Sequence, residues 1–429
     1  MLEYLILNVR YYKRSFVMLK RHIESKLFAA LEYMPVVLLR GARQTGKTTL
    51  AKSISTLNKK YNYLSFDHLP SLVAAKNDPV GFIARLEKPI ILDEIQRVPE
   101  LFLPIKSDVD ENRHPGRYFL TGSADPLLIP QLGDSLAGRM RLLTLWPLSQ
   151  GEIESRQETF LESVFNRLPI QTGKTLSCSK EDILLRATRG GYPTPLLMNS
   201  EQQQSEWFND YISLVLQKDI LDLSKIENIT QIPNLLTLIA ARTGGLLNTE
   251  ELARSIKLSS VTLHRYLDLL KTLFLVHMLP AWSGNLSKRM VKSSKMYLTD
   301  TALQLFMLNI NFDRLSRDAN LVGNVIENFV VLELLKQISW SNLNTQMFHY
   351  RDYAQTEVDI ILEGPGGDLV AIEIKSSQTI STDDFKGLKK FQESVGEKCI
   401  QGILLYSGTT YLPFGEKLTA CPIASLWMN

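Results

Sequence analysis

The residues best suited to chemistry form a glycine-containing loop between an apolar run, 35–39, and a helix-like segment, 50–55. In such a loop the glycines let the backbone approach a phosphate, and N–H groups at the helix start form an anion-binding concavity. Lys47 would reach the β- and γ-phosphates of a nucleoside triphosphate, and the Thr48 hydroxyl would hold Mg²⁺. We predict an ATP phosphate site made by Gly41, Ala42, Arg43, Gln44, Thr45, Gly46, Lys47, Thr48 and Thr49.

A second apolar run ends in two adjacent carboxylates, Asp93 and Glu94, 46 residues after Lys47. In a triphosphatase the first carboxylate lies beside Mg²⁺, and the second orients and deprotonates the attacking water. Many strands end in acidic turns, but this spacing leaves room for one intervening strand and helix. Glu94 favours a hydrolase over a small-molecule kinase, because a carboxylate that activates water would be harmful in a kinase.

Two later stretches could complete the phosphate site. A short apolar strand leads to a small polar triplet, which would bring Thr121 or Ser123 near the γ-phosphate or would simply form a β-turn. Arg139 and Arg141 precede the next apolar strand. An arginine stabilises the charge of a transferring phosphoryl group, in the same chain or from a neighbouring subunit. Arg139 is our candidate, although the sequence does not exclude Arg141 or a structural salt bridge for either.

The last third carries a second constellation of ionisable residues. Glu327 lies on an amphipathic helix, Asp359 on a strand, and Glu373 and Lys375 on the strand that returns after a turn. In an antiparallel hairpin Asp359 and Glu373 can face each other, and Glu373 and Lys375 share a face. Three carboxylates would bind Mg²⁺ or Mn²⁺, and Lys375 could polarise a water for phosphodiester hydrolysis. The alternative is an amphipathic hairpin with a Glu–Lys salt bridge on its wet face.

Between the two constellations, residues 248–270 have the pattern of a helix-turn-helix, with cap residues before each helix. Such a motif fits DNA contact through its second helix, and it equally fits an interaction or spacer module. A basic run without acidic residues follows and favours a phosphate partner: Lys288, Arg289, Lys292 and Lys295. An earlier basic run near the N-terminus, which includes Arg21, is interpreted as a solvated helix face.

From Val36 onward, strand-like and helix-like sequence patterns alternate, which predicts an α/β fold with a parallel sheet. We predict a P-loop NTPase parallel-sheet domain with a lead-in helix at 1–150 and a helical lid over the nucleotide at 151–235. A winged helix-turn-helix follows at 236–290, and a mixed α/β domain follows at 291–429. These elements would bring the first constellation to one edge of the parallel sheet.

The composition is that of a soluble globular protein, with 45% apolar and 22% charged residues and a net charge of +3. The mild basicity permits a nucleic-acid partner without arguing for one. Three widely spaced cysteines offer neither a disulfide framework nor zinc spacing, which fits a reducing cytoplasm. No window of about eighteen apolar residues exists, so we expect no membrane partner.

From about Lys20 to Trp427 the sequence resembles bacterial and archaeal AAA+-type ATPases that carry a C-terminal restriction-endonuclease-like domain of long-unassigned function. The resemblance rests on the loop from Gly41, on the segments that begin at Leu92, Leu120 and Leu136, on 189–193, and on the Glu327, Asp359, Glu373 and Lys375 set. It implies that 41–49 are the Walker A loop, that Asp93 and Glu94 are the Walker B pair, and that Ser123 lies near a sensor position.

The same resemblance implies that the C-terminal set is a PD-(D/E)xK nuclease signature, here Glu327, Asp359, Glu373 and Lys375. The expected function is an Mg²⁺-dependent ATPase coupled to a nuclease-like domain that acts on nucleic acid, most naturally DNA, with oligomers permitted. The alternative is a nucleotide-controlled switch whose last domain binds DNA or a protein without cleavage.

Overall fold

The computed structural model describes residues 19–57, 60–124, 136–166, 173–215 and 231–428. Part of the predicted lead-in, 1–18, lies outside the described residues, and so do 167–172 and 216–230 of the predicted lid. Helix α1 (Ile23–Tyr33) precedes the first strand, and its buried residues include Ile23 and Leu27.

A five-stranded parallel sheet forms the N-terminal domain, with its strands, numbered along the chain, in the order second, third, fourth, first and fifth. The order places the fourth strand between the strand before the glycine loop and the strand that ends in Asp93. The central strands are almost fully buried, as expected when helices cover both faces of a parallel sheet. The predicted parallel α/β domain is confirmed, with β1 (Val36–Arg40), β2 (Asn62–Ser65), β3 (Ile90–Asp93), β4 (Tyr118–Gly122) and β5 (Met140–Thr144).

Alternate residues of β1 enter two different cores, because successive side chains of a strand point to opposite faces. Val36 and Leu38 pack in one core, and Val37 and Leu39 pack in the other. The helices of this domain after α1 are α2 (Lys47–Leu57), α3 (Leu69–Asn77), α4 (Pro79–Arg85) and α5 (Phe102–Glu111).

The middle of the chain is mainly helical. Asn248 and Ser259 cap the two helices of the predicted helix-turn-helix by accepting hydrogen bonds from backbone N–H groups. A two-stranded antiparallel sheet follows them. The elements are α6 (Gln150–Glu154), α7 (Phe160–Phe165), α8 (Lys180–Arg189), α9 (Pro193–Leu196), α10 (Glu201–Leu214), α11 (Ile232–Ala241), α12 (Thr249–Ser255), α13 (Ser260–Thr272), β6 (Val276–Leu279), α14 (Leu286–Val291) and β7 (Lys295–Leu298).

The C-terminal domain contains a six-stranded mixed sheet in the order β12-β13-β11-β10-β9-β8, as the mixed α/β prediction requires. Its helices are α15 (Thr301–Met307), α16 (Phe312–Arg317), α17 (Ala319–Trp340) and α18 (Lys386–Val395). Helices α17 and α18 contribute to separate cores on this sheet. The strands are β8 (Gln346–Arg351), β9 (Glu357–Glu363), β10 (Leu369–Lys375), β11 (Cys399–Tyr406), β12 (Leu412–Gly415) and β13 (Leu418–Pro422).

The helices predicted to form one lid over the nucleotide divide between two cores in the described residues, and the lid itself stays a prediction. Phe160 of α7 and Ile183 of α8 pack in the core of the C-terminal sheet, with Ile360 of β9. Phe208 and Tyr211 of α10 pack with the helix-turn-helix. Amphipathic spacing shows that a helix buries one face, but it does not name the element that covers the face.

Helix α17 joins the C-terminal domain to the parallel-sheet domain. Glu333 and Lys336 pair with each other at 2.6 Å, and both are buried. Glu333 also accepts from the Gln150 N–H at 2.9 Å, and Lys336 donates to the Leu148 carbonyl at 3.0 Å. Lys26 of α1 donates to the Ser341 carbonyl just after the helix. Within the ranges described above, no helix is long and apolar enough to cross a bilayer.

We expect Gly190→Ala to destabilise the protein by about 2–4 kcal/mol, since it combines strained backbone with loss of a buried contact. Gly190 has φ +67°, and a Cβ there would lie 2.4 Å from a carboxylate oxygen of Asp300. That carboxylate accepts from the N–H groups of Gly191 and Leu303. Urea unfolding measures the loss.

Gly367→Ala is the matched control, because Gly367 has φ +82° and open space around its Cβ position. This variant carries the backbone cost alone, about 1–2 kcal/mol. Equal losses in the two variants would contradict a role for the Asp300 contact.

Candidate functional site

The loop that follows β1 lies against the chain that leaves β5. A Cβ on Gly41 would lie 2.2 Å from the carbonyl oxygen of Leu145, so a larger residue does not fit there. Arg43 is half-buried, whereas Gln44 and Thr49 are exposed. The loop is therefore shaped by close backbone packing, as the glycine pattern predicts.

Lys47 begins α2, and its buried ammonium faces the loop. Its Nζ donates to the carbonyl oxygens of Gly41 at 2.9 Å and Ala42 at 2.7 Å. Thr45 Oγ1 also donates to the Ala42 carbonyl, at 3.0 Å. The ammonium thus lies within the loop, where an arriving triphosphate would meet a positive charge.

Asp93 ends β3 at the centre of a group of hydroxyls. Its carboxylate accepts from Thr48 Oγ1 at 3.0 and 3.1 Å, from Tyr63 at 2.8 Å, and from Thr121 and Ser65. Burial, together with the Asp93 carboxylate, raises the pKa of Tyr63, so this phenol stays a hydrogen-bond donor. The sheet order brings these groups together, since β2 and β4 flank β3.

Glu94 follows in a left-handed conformation, with φ 61° and ψ 45°, that turns its side chain away from the strand direction. Its carboxylate accepts from Gln96 Nε2 and, at 3.2 Å, from Ser123 Oγ. Gln96 Nε2 also donates a hydrogen bond to Ser123 Oγ, at 2.8 Å. The predicted sensor residue Ser123 therefore lies beside Glu94 and holds it together with Gln96.

The hydroxyl oxygen of Thr48 and the carboxylate oxygens of Asp93 lie next to each other. Oxygen atoms are the ligands that Mg²⁺ prefers in proteins. A threonine hydroxyl can bind the ion directly, and an aspartate can bind it through a water. The residues present at this edge of the sheet fit Mg²⁺.

Arg21 supports the loop from behind. Its guanidinium donates to the Thr45 carbonyl at 2.7 Å, to the Trp146 carbonyl at 2.7 Å, and to Glu152 at 3.1 Å. The side chain is buried, so the interpretation of this basic run as a solvated face is wrong at Arg21. A basic residue in a helix pattern gives no sign that its partners come from distant segments.

Arg139 lies at the sheet edge opposite the phosphate loop. Its carbonyl accepts from Val36 at the start of β1, whereas the loop follows the other end of this strand, about 16 Å away at 3.3 Å per residue. The guanidinium pairs with Asp110 of α5. Arg141 lies opposite Val37, near the same edge. Neither arginine reaches the loop of its own subunit, which leaves a structural salt bridge, as Arg139 makes with Asp110, or a role in a neighbouring subunit's site.

The second constellation comes together around a lysine that the sequence interpretation had assigned to nucleic acid. Lys295 Nζ lies 2.9 Å from Glu327 Oε1 and 3.4 Å from Asp359 Oδ1. Tyr297 donates to the same Glu327 oxygen at 2.7 Å. Burial would lower the pKa of Lys295, but Glu327 and Asp359 raise it above its ordinary value. Lys295 therefore stays an ammonium at neutral pH.

Glu373 and Lys375 lie on β10 beside this group. Lys375 Nζ contacts Glu373 Oε1 at 3.0 Å, as the strand period predicts. The Ile374 N–H donates to Asp359 Oδ2 at 2.9 Å, which fixes Asp359 across the antiparallel hairpin. Burial, then the nearby Asp359 carboxylate, raises the pKa of Glu373 to about 8. Its Oε2 is buried without a hydrogen-bond partner.

The expected metal site formed by Glu327, Asp359 and Glu373 is not present in this arrangement. No group of three or more histidine, cysteine or acidic side chains in the described part of the chain is arranged to hold a metal ion. The physical reason is the Lys295 ammonium, which already contacts two of the three carboxylates. The residues present therefore do not fit Mg²⁺ or Mn²⁺ as they stand.

The described side chains of the basic run that was expected to contact phosphates bond to other parts of the protein instead. Arg289 pairs with Glu363 at 3.1 Å, Lys292 donates to the Arg351 carbonyl at 2.8 Å, and Lys295 joins the carboxylates. The Lys288 side chain lies outside the described residues. The described part of this run gives no support for a phosphate partner, because its acidic partners come from β9 and α17, far along the sequence.

Three functional groups escaped the sequence interpretation: Gln96, Tyr63 and Lys295 in its role at the carboxylates. Gln96 follows the carboxylate pair by two residues, which offered a signal. Tyr63 and Lys295 offered none, because their partners come from other elements of the fold.

Comparison with known families agrees with the parallel-sheet site. Residues 33–154 match a family described as an AAA domain, and residues 180–314 and 322–426 match two domains of unknown function, DUF8612 and DUF4143. The fold, the loop and this match define the N-terminal domain as a P-loop ATPase domain of the AAA type.

The chain is 31% identical over 406 residues to uncharacterized protein Rv2008c of Mycobacterium tuberculosis, and equally to Mb2031c of Mycobacterium bovis. Each match covers 94% of this chain and 83% of the relative, so the chain belongs to the family of these proteins. Uncharacterized protein MJ1544 of Methanocaldococcus jannaschii is 22% identical over 404 residues, 90% of this chain and 84% of its own.

Solved structures with partial similarity include the RuvB Holliday junction branch migration motor of Thermotoga maritima. It is 20% identical, with a TM-score of 0.27, over 60% of this chain and 89% of RuvB. A structure of Drosophila ORC with AT-rich DNA and Cdc6 is 13% identical, with a TM-score of 0.19, over 72% of this chain and 93% of its own. Scores this low carry no argument about the present chain.

We expect Arg21→Met to weaken ATP binding about tenfold and to lower the free energy of unfolding by about 3 kcal/mol, since it leaves buried Glu152 without its cation. Lys20→Met is the control, because Lys20 is adjacent, equally charged and exposed. Nucleotide titration and urea unfolding measure the two effects. Lost stability with unchanged ATP affinity would restrict Arg21 to a structural role.

Proposed function

We propose that this chain hydrolyses ATP with Mg²⁺ at the edge of the parallel sheet. The observation that carries the proposal is the hydrogen-bonded pair of Thr48 and Asp93 beside the Lys47 loop, with Glu94 next along the chain from Asp93. A carboxylate next to a metal-binding pair is the equipment of a hydrolase, because water must be activated in line with the γ-phosphate. The buried free cysteines fit a reducing cytoplasm as its location.

Each residue has a separate role in the proposed reaction. The loop and Lys47 bind the β- and γ-phosphates, and Thr48 and Asp93 hold the metal. When bound, Mg²⁺ neutralises charge on the phosphate oxygens. Glu94 accepts a proton from the attacking water, and Gln96 and Ser123 orient its carboxylate.

Arg139 is proposed to act on the ATP of a neighbouring subunit. It lies near the surface at the far edge of the sheet, with its side chain 30% exposed. An arginine supplied from a second subunit can stabilise the negative charge of the transferring phosphoryl group in the transition state. No arginine in the described part of the same chain is proposed to reach that charge. The proposal implies an oligomer in the active form.

The ATPase is further proposed to drive a nuclease-like C-terminal domain that acts on nucleic acid, with α12, α13, β6 and β7 as a winged helix. The order α17, β8, β9, β10, α18 and β11 supports a restriction-endonuclease-like fold, with Asp359, Glu373 and Lys375 on neighbouring strands. The buried contacts of Glu333 and Lys336 with 148–150 provide a rigid connection through which the two domains could influence each other.

The second candidate is a nucleotide-controlled switch whose C-terminal domain binds DNA or a protein without cleaving it. The observation that favours it is Lys295, which holds Glu327 and Asp359 in place of a metal. A domain of this fold can keep its binding surface without retaining cleavage.

Lys47→Ala and Glu94→Gln are expected to lower ATP turnover at least about 100-fold, the usual loss when a charge-stabilising or proton-accepting group is removed. Glu94→Gln should keep ATP affinity, whereas Lys47→Ala should lose it, because Lys47, unlike Glu94, is proposed to bind the phosphates. Phosphate release and equilibrium nucleotide binding measure these effects. Lys76→Ala and Glu100→Gln are exposed controls. Normal turnover in both site variants would exclude the proposed ATPase site.

Arg139→Ala is expected to lower turnover about 1,000-fold without weakening ATP binding to its own subunit. Mixing Arg139→Ala with Lys47→Ala subunits should restore part of the activity, since one variant supplies the loop and the other supplies the arginine. Arg141→Ala tests the alternative residue. No recovery on mixing would count against action between subunits.

A further inference from the structure

Lys295 reaches the carboxylates from another part of the chain, on the two-stranded sheet of β6 and β7. Lys295 and Tyr297 are two residues apart, so they point to the same face of β7. Both contact the same oxygen of Glu327, at 2.9 Å and 2.7 Å. The β6–β7 sheet therefore contributes two side chains to the cluster that contains the carboxylates of the C-terminal domain.

The ammonium has the position and charge of a bound cation. It contacts one carboxylate from α17 and one from β9, and the three side chains are only 11–18% exposed. A single positive charge faces two carboxylates, with Glu373 nearby and one of its oxygens buried without a partner. Carboxylates that share one buried site repel one another unless a cation lies between them.

The surroundings allow the ammonium to leave. A cavity of about 310 Å³ opens beside Glu327 and is lined by Gly244, Met296 and Asn324 among others. Glu327, which Lys295 contacts, lines this cavity, and a lysine side chain has four rotatable bonds. A change of rotamer or a shift of β7 would move the ammonium without unfolding the sheet.

The phosphate loop has a chain of contacts to this strand. Arg40, the last residue of β1, lies over the ring of Phe274 at 5.9 Å. Trp146 packs edge-on against Phe274 and against His277, at 5.8 and 6.2 Å. His277 belongs to β6 and pairs with Tyr297 of β7. The strand that carries Lys295 is thus paired with β6, which is in packed contact with the nucleotide-binding domain.

We propose that Lys295 is an internal cation that competes with a divalent metal for Glu327 and Asp359, so the C-terminal site binds metal only after Lys295 withdraws. This inference rests on the proposed nuclease-like function, and it assigns to Lys295 the control of metal binding at that site. It accounts for the absence of a three-carboxylate metal group among the described residues of a domain that carries the matching acidic set. It also assigns a shared role to Lys295 and Tyr297, which both hold Glu327.

The test is Mn²⁺ binding to the full chain without nucleotide, measured by electron paramagnetic resonance for the wild type, Lys295→Met and Lys292→Met. Lys292→Met is the matched control, because its ammonium donates to a carbonyl and not to the carboxylates. We expect Lys295→Met to bind Mn²⁺ at least about tenfold more tightly, since the competing charge is gone. Adding Asp359→Asn should remove that gain, and Lys292→Met should match the wild type.

Mn²⁺ binding by Lys295→Met that is unchanged or weaker would overturn the proposal, and so would a gain that survives Asp359→Asn. Lys295→Gln is the second variant if Lys295→Met does not fold, as judged by circular dichroism. DNA cleavage and ATP turnover are measured on the same samples. Tighter Mn²⁺ binding without cleavage would keep the internal cation and reject the nuclease, whereas intact ATP turnover without a Mn²⁺ gain would reject the internal cation alone.

Discussion

The buried pair of Glu333 and Lys336 on α17 is the interaction on which the rest of the arrangement depends. Removing two charges from water is costly, and these two are stabilised only because each also bonds to the backbone at 148–150. The helix is thereby fixed to the end of the parallel-sheet domain. Because α17 also carries Glu327 two turns earlier, the same contact sets the position of the second carboxylate group relative to the first.

The two acidic sites differ in what surrounds their carboxylates. Asp93 accepts from hydroxyls of threonine, serine and tyrosine, which are neutral and leave its negative charge for a metal. Glu327 and Asp359 share an ammonium, which neutralises charge before any metal arrives. Similar residue types thus give one site ready for Mg²⁺ and one site under internal control. The distinction lies in the neighbours and not in the acidic residues themselves.

Sequence patterns predicted local structure well and long-range partners poorly. The glycine loop, the carboxylates after β3, both helix caps of the helix-turn-helix and the Glu373–Lys375 contact all follow from short spacings, and the structure has them. The solvated Arg21 and the phosphate-binding role of Arg289 and Lys295 were wrong, and the helices of the predicted lid divide between two cores. Each error concerns a side chain or helix face whose partner is more than about a hundred residues away or on another element, where no periodicity applies.

The sequence by itself determined that a parallel sheet carries a phosphate loop and a carboxylate pair, because strand burial, glycine geometry and residue spacing are local properties. Only the tertiary structure decided that β4 separates β1 from β3, that Arg139 faces away from its own loop, and that β7 delivers Lys295 to Glu327 and Asp359. Charge pairing inside a protein is decided by which segments meet. That depends on the packing of whole elements, which no short stretch of sequence specifies.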